Sequence, residues 1–145
     1  MKQVLLMLVV IVSNLLAVPE YDSKMNMVTL PSKYNRVEGF AVGQEDLVGF
    51  FIGHIIPDGN LTFVDTATNE QLTVEIEYSD DLSGSKGNLY LYEVTNDNAI
   101  ISFFKRATYL VYVYRDPKGD VDEGVGGDAL NLMGFTKEYY KIIDE

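Results

Sequence analysis

One histidine, His54, lies between Gly53 and Ile55 in an apolar stretch. To act as a catalytic base it needs a nucleophile and an orienting acid within hydrogen-bond reach. Neither a G-x-S-x-G nor an H-E-x-x-H pattern accompanies it. His54 therefore reads as a strand histidine on a rim or outer face, and the chain reads as a non-enzyme. The sequence contains no cysteine, which removes thiol nucleophiles, thiolate metal sites and redox chemistry. No cofactor and no catalytic residue is expected.

The densest set of ligand oxygens is Asp116 to Asp128, with five carboxylates in thirteen residues and glycines among them. Calcium takes about six to eight oxygens from loops of this kind. The D-x-[DN]-x-[DN]-G spacing of an EF-hand is absent. The stretch reads as a solvated, flexible loop, with calcium binding as the alternative. A calcium-dependent rise in melting temperature separates the two, because a ligand held only by the folded state stabilises it.

The aromatic residues offer a third chemistry. Tyr78, Tyr90, Tyr92, Tyr109, Tyr112 and Tyr114 all fall in predicted strands. Each alone is explained by β-propensity and core filling. As a set they suit the wall of a cavity for a flat or amphipathic ligand. The expected lining is Leu72, Val74, Ile76 and Tyr78, then Tyr90, Tyr92, Phe103, Tyr109 and Val111. The expected partner is a small hydrophobic molecule.

The elements that must position these residues follow from spacing. From Tyr34 onward apolar residues recur mostly every second position. Leu72, Val74, Ile76 and Tyr78 alternate with Thr73, Glu75 and Glu77, the pattern of a half-buried strand. Leu47 to Ile56 is a long apolar run followed by the turn residues Pro57-Asp58-Gly59-Asn60 and a short strand, Leu61 to Asp65, so the two runs read as a hairpin. Asn88–Val94, Ala99–Phe104 and Ala107–Tyr114 read as three more strands, Ala129–Gly134 as a last one, and Thr136–Ile143 as a short helix with Thr136 at its N-cap. Tyr21 to Lys33 shows no clear period. About seven or eight strands in meander order predict an all-β fold, an antiparallel up-and-down β-barrel with a short C-terminal helix.

Residues 1–17 read as a secretory signal peptide: Lys2, the apolar run Val4 to Val12, and small Ala17 ahead of the polar Pro19-Glu20-Tyr21-Asp22. The run is shorter than the roughly 20 residues a bilayer span needs, so no membrane anchoring is expected. Residues 18–145 then form a single domain, secreted to the extracellular space. With 11 basic against 22 acidic residues and a net charge of −11, nucleic acid is excluded as a partner, since phosphates need a basic surface. At 47% hydrophobic and 12% aromatic residues the chain is not disordered. Asn60-Leu61-Thr62 is an N-glycosylation sequon and marks Asn60 as an exposed turn residue. An exposed edge formed by Leu47–Ile56 would be adhesive, which leaves monomer and dimer both open.

Three stretches resemble the lipocalins, secreted barrels that hold small apolar ligands. Lys33 to Gly39 is similar to the family's K-Y-x-G-x-W-Y lead-in, Ala107 to Tyr114 to its tyrosine-rich strand, and Leu130 to Glu138 to its closing L-x-x-x-G-R-T turn. Arg36 stands for the lead-in glycine, Glu38 for the tryptophan, and Phe135 for the arginine that packs under it. The resemblance implies a carrier or sequestering protein with a small hydrophobic ligand inside its barrel. The alternative is a secreted protein acting by its surface or in a matrix.

Overall fold

In the computed structural model, residues 18–33 and 37–144 are described, and of residues 122–128 the backbone alone. The expected signal peptide and Tyr34 to Arg36 of the lipocalin-like lead-in lie outside the described residues.

Alternation sets the strands. In β6 (Gln71–Asp81) Val74 and Ile76 are buried while Thr73, Glu75 and Glu77 are exposed. β6 pairs antiparallel with β5 (Gly59–Asp65) on one side and β7 (Tyr90–Val94) on the other. The remaining strands are β1 (Glu20–Asp22), β2 (Met27–Pro31), β3 (Gly39–Val42), β4 (Val48–Ile52), β8 (Tyr109–Arg115) and β9 (Val121–Asn131). Among the described residues the strands form one nine-stranded antiparallel sheet in the order β1-β2-β3-β4-β7-β6-β5-β8-β9. The sheet curls into a half-barrel. Lys33 N–H donates to the Ala129 carbonyl at 2.9 Å, which brings the end of β2 against β9. The all-β, barrel-like fold read from the sequence is present, and a short helix, α2 (Phe135–Tyr139), follows the last strand.

The strand order departs from a simple meander. After β4 the chain passes over two strand positions and returns through β5, β6 and β7. The expected hairpin between Leu47–Ile56 and Leu61–Asp65 therefore does not form: β4 pairs with β3 and β7, and β5 with β6 and β8. The reason is coverage. β4 is apolar on both faces, so it belongs where both faces are packed. Val48, Phe50 and Ile52 enter the main core, whereas Phe51 joins Met27, Ala41 and Leu91 in a second cluster on the outer face, roofed by Met25, Leu82 and Leu89.

The stretch expected as a strand at Ala99–Phe104 is helix α1 (Asp97–Arg106). Ile100, Ile101, Phe103 and Phe104 fall on one side of it and are buried. Asp97 in the first turn and Lys105 and Arg106 in the last complement the helix dipole. A six-residue stretch with five apolar residues reads equally well at either period, and here packing chose the helix. Asp116–Asp128 also departs from expectation. A tight turn spans 116–120, with Asp116 N–H donating to the Asp120 carbonyl, and β9 begins at Val121 and runs beside β8. Pairing with β8 turns most of the expected loop into strand. The α2 N-cap position is Gly134, at φ 83°, instead of Thr136, whose hydroxyl donates to the Lys105 carbonyl. β1 and β2 occupy the lead-in that showed no period, because β2 is buried on both sides. No helix among the described residues is long and apolar enough to cross a membrane.

Candidate functional site

The concave side of the sheet is filled by its own side chains. Phe40 stands at the centre, with ring centroids 4.9 Å from Phe50, 5.3 Å from Tyr112 and 5.5 Å from Phe63. Helix α1 lies across this face and inserts Phe104, 5.7 Å from Phe63 and 5.6 Å from Phe135. These six rings are all buried to 1% exposure or less. Edge-on and tilted packing of this kind is favourable beyond the area it buries.

The expected lining residues divide into three groups. Val74, Ile76, Tyr92 and Phe103 are buried in this core, with Leu72 and Tyr90 half-buried against it. Tyr109 and Val111 face outward, about 40% exposed. Their strand has the opposite parity: Leu110, Tyr112 and Tyr114 point inward. When a strand is apolar on both faces, alternation alone does not decide which set is inside. Tyr78, expected inside, is 46% exposed; it lies just before the register shift between Tyr78 and Asp80 and stacks edge-on against Tyr92 at 5.6 Å. The tyrosine hydroxyls hold backbone. Tyr92 donates to the Ile56 carbonyl at 2.5 Å and accepts from Ile56 N–H at 2.8 Å. Tyr114 donates to the Pro57 carbonyl at 2.6 Å. Together they pin the crossover between β4 and β5. Gly59 follows two residues later, where a Cβ would collide with the Arg115 carbonyl.

A groove opens on the outer face of the same sheet. Its floor is Ala41 and Gly49, opposite each other on β3 and β4, and its apolar walls are Met27, Leu47 and Leu91. Gly49 is required by closeness: a Cβ there would meet Leu91 Cδ1 at 2.9 Å. Ser79, Glu93 and Asp97 form the polar end. Three elements meet at this end. Ser79 lies at the β6 irregularity and donates to Glu93 Oε1 at 3.4 Å. Glu93 lies on β7 opposite Gly49, and Asp97 opens α1. Asp97 Oδ1 is shielded from water and has no hydrogen-bond partner among the described residues. Burial first, then the charges of Glu93 and Asp46, push the Asp97 carboxyl above its ordinary range. The groove holds about 80 Å³. Sequence reasoning missed it, leaving Asp97 between the predicted strands Asn88–Val94 and Ala99–Phe104, and Glu93 inside the first of them. The available signal was Gly49 inside an otherwise bulky apolar run.

Other polar groups serve the fold. Glu38 is buried and accepts from the Tyr112 hydroxyl, which also hydrogen-bonds Ser32. The Asp46 carboxylate accepts from Tyr139, whose phenol is pushed up to about 12 by burial and then by that carboxylate. A second crevice, of about 180 Å³, lies beside it, between Asp46, Tyr140 and Asp144. Asp116 Oδ1 accepts from Lys118 and Asp120 N–H, 2.9 Å each, and so shapes its turn. His54 is exposed in the connection after β4. Asn60 is exposed at the second position of β5, not in the turn before it. Among the described residues no cluster of three metal-ligating side chains occurs. No family model, no curated protein and no solved structure matches this chain.

Proposed function

We propose that this is an exported, non-enzymatic binding protein that works from its outer surface. The observation that carries the reading is the occupied interior. A carrier that encloses its ligand needs roughly 300 Å³ or more of hollow, and on the concave side that space is taken by Phe40, Phe50, Phe63, Phe104, Tyr112 and Phe135. Surface features remain for a partner: the acid-rimmed groove and the outward Tyr109 and Val111. A net charge of −11 favours a basic partner and speeds its encounter. Export rests on Lys2, the apolar run Val4 to Val12 and Ala17. The lipocalin likeness contributes the layout of an exported single-domain barrel, and its interior ligand is the competing reading.

Titration with an environment-sensitive apolar dye, followed by fatty acid or retinoid, tests the choice. The expected result is no saturable uptake by the native protein. Saturable, displaceable uptake at one site per chain restores the interior carrier. The same preparation melted with and without calcium checks the Asp116–Asp128 hairpin, where a raised melting temperature adds a metal to the surface reading.

A further inference from the structure

We propose that residues 142–144 form a strap across two turns of the sheet, that a protease cutting after Lys141 releases it, and that its release unlocks the turn between β3 and β4. The inference stands apart from the surface-binding reading and does not rest on it.

The β3–β4 turn needs support from outside. Leu47 N–H donates to the Gln44 carbonyl at 3.3 Å and closes it. Its two central residues, Glu45 and Asp46, both have positive φ, 59° and 57°. That is type I′ geometry, which suits Asn-Gly. Left-handed backbone at a residue such as glutamate is strained and persists where its surroundings hold it. Here the holders come from the other end of the chain. The Tyr139 hydroxyl of α2 donates to the Asp46 carboxylate, and Asp144 Oδ1 accepts from Glu45 N–H at 3.2 Å. The strap's second anchor is Asn26, itself left-handed at φ 53°, in the turn between β1 and β2. Asn26 Oδ1 accepts from Ile143 N–H at 2.8 Å, and Asn26 Nδ2 donates to the Ile143 carbonyl at 2.6 Å.

The strap sits loosely on these anchors. Ile142 packs partly against the main core, but Ile143 is 62% exposed. The crevice of about 180 Å³ lies between this segment and Gly43 and Asp46. The hydrogen bonds to Asn26 and Glu45 are exposed. A segment with few buried contacts and exposed hydrogen bonds opens locally while the rest of the fold stays intact. Lys141 is exposed at the root of the strap, just past α2, paired with Glu138 at 2.7 Å. Cleavage there is a hydrolysis: water adds its hydroxyl to the Lys141 carbonyl carbon and its proton to the Ile142 nitrogen as the bond between them breaks. The Asn26 and Glu45 anchors are then lost together, while Tyr139 and Glu138 stay with the fold.

The test treats the folded, isotope-labelled protein with trypsin at low ratio and follows it by mass and by amide spectra. The expected result is loss of Ile142-Ile143-Asp144-Glu145 from a chain that keeps its folded spectrum. The Glu45 and Asp46 Cα shifts should then leave their left-handed values, and Glu45 amide exchange should rise about tenfold with its hydrogen bond gone. Asn26→Gly keeps the backbone free to hold its positive φ and removes both bonds to Ile143, so it should speed the cut about tenfold. Lys141→Gln should block the cut and leave the turn as it is. A Lys141–Ile142 bond that stays whole while other sites are cut overturns the proposal. So does a trimmed chain whose Glu45 and Asp46 signals are unchanged, or an Asn26→Gly variant cut no faster than the parent.

Discussion

Tyr92 carries two jobs in one hydroxyl, accepting from and donating to the peptide groups of Ile56. Tyr92→Phe leaves both backbone groups buried without that partner, at a cost of about 1–3 kcal/mol, read as a lower urea midpoint with unchanged slope. Asp97 gives a pH signature. Its folded pKa lies above its ordinary 3.8, so the folded state holds the proton more tightly than the unfolded chain. The stability it contributes is full below that value and disappears as pH rises through the folded pKa. Asp97→Asn should therefore flatten this part of the melting-temperature profile and raise the melting temperature at neutral pH, despite the loss of a favourable charge at a helix start. At this scale the sequence was legible where residues pointed into a single face, as for Val74 and Ile76. It was not legible for Tyr109 and Val111, since β8 is apolar on both faces and the inward set is decided by what packs behind it. Asp97 was invisible for another reason: its neighbours in the groove, Met27, Ala41 and Gly49, are distant in sequence and meet only through pairing.

Helix α1 is the element on which the interior depends. Phe104 is fully buried, touching Phe40, Phe63 and Phe135. Phe104→Ala should cost about 3–5 kcal/mol by chemical denaturation, a large part of the roughly 5–15 kcal/mol that holds a domain together. The same variant should bind xenon or benzene, which the filled native interior is expected to refuse, because a cavity lined by rings stays dry and takes small apolar guests. Strands with one wet face were readable from period alone, and β6 is the clearest. Ala99–Phe104 was not, because its length and composition satisfy two periods, and the decision lay with a concave sheet that needed a lid. The hairpin expected from Pro57 to Asn60 illustrates the same limit. The turn chemistry is present, but the partner across a turn is chosen by which strands need cover on two faces.

The whole molecule carries the charge and the accessible surface on which the proposed function depends. In a eukaryotic secretory host the exposed Asn60 should carry one N-linked glycan, seen as a mass shift that Asn60→Gln removes without loss of secretion. A shift that persists in the variant assigns the glycan elsewhere. The crossover from β4 to β5 also bears on how the chain is made. During synthesis β1 to β4 emerge before β7 exists, so Val48–Ile52, the most apolar strand of the sheet, has an unfilled flank until the ribosome has added Tyr90–Val94. Nascent chains at that stage present a bare, sticky border to one another. Slowing translation between Gly59 and Tyr90 should lower the soluble yield, whereas the same delay placed after Val94 should not.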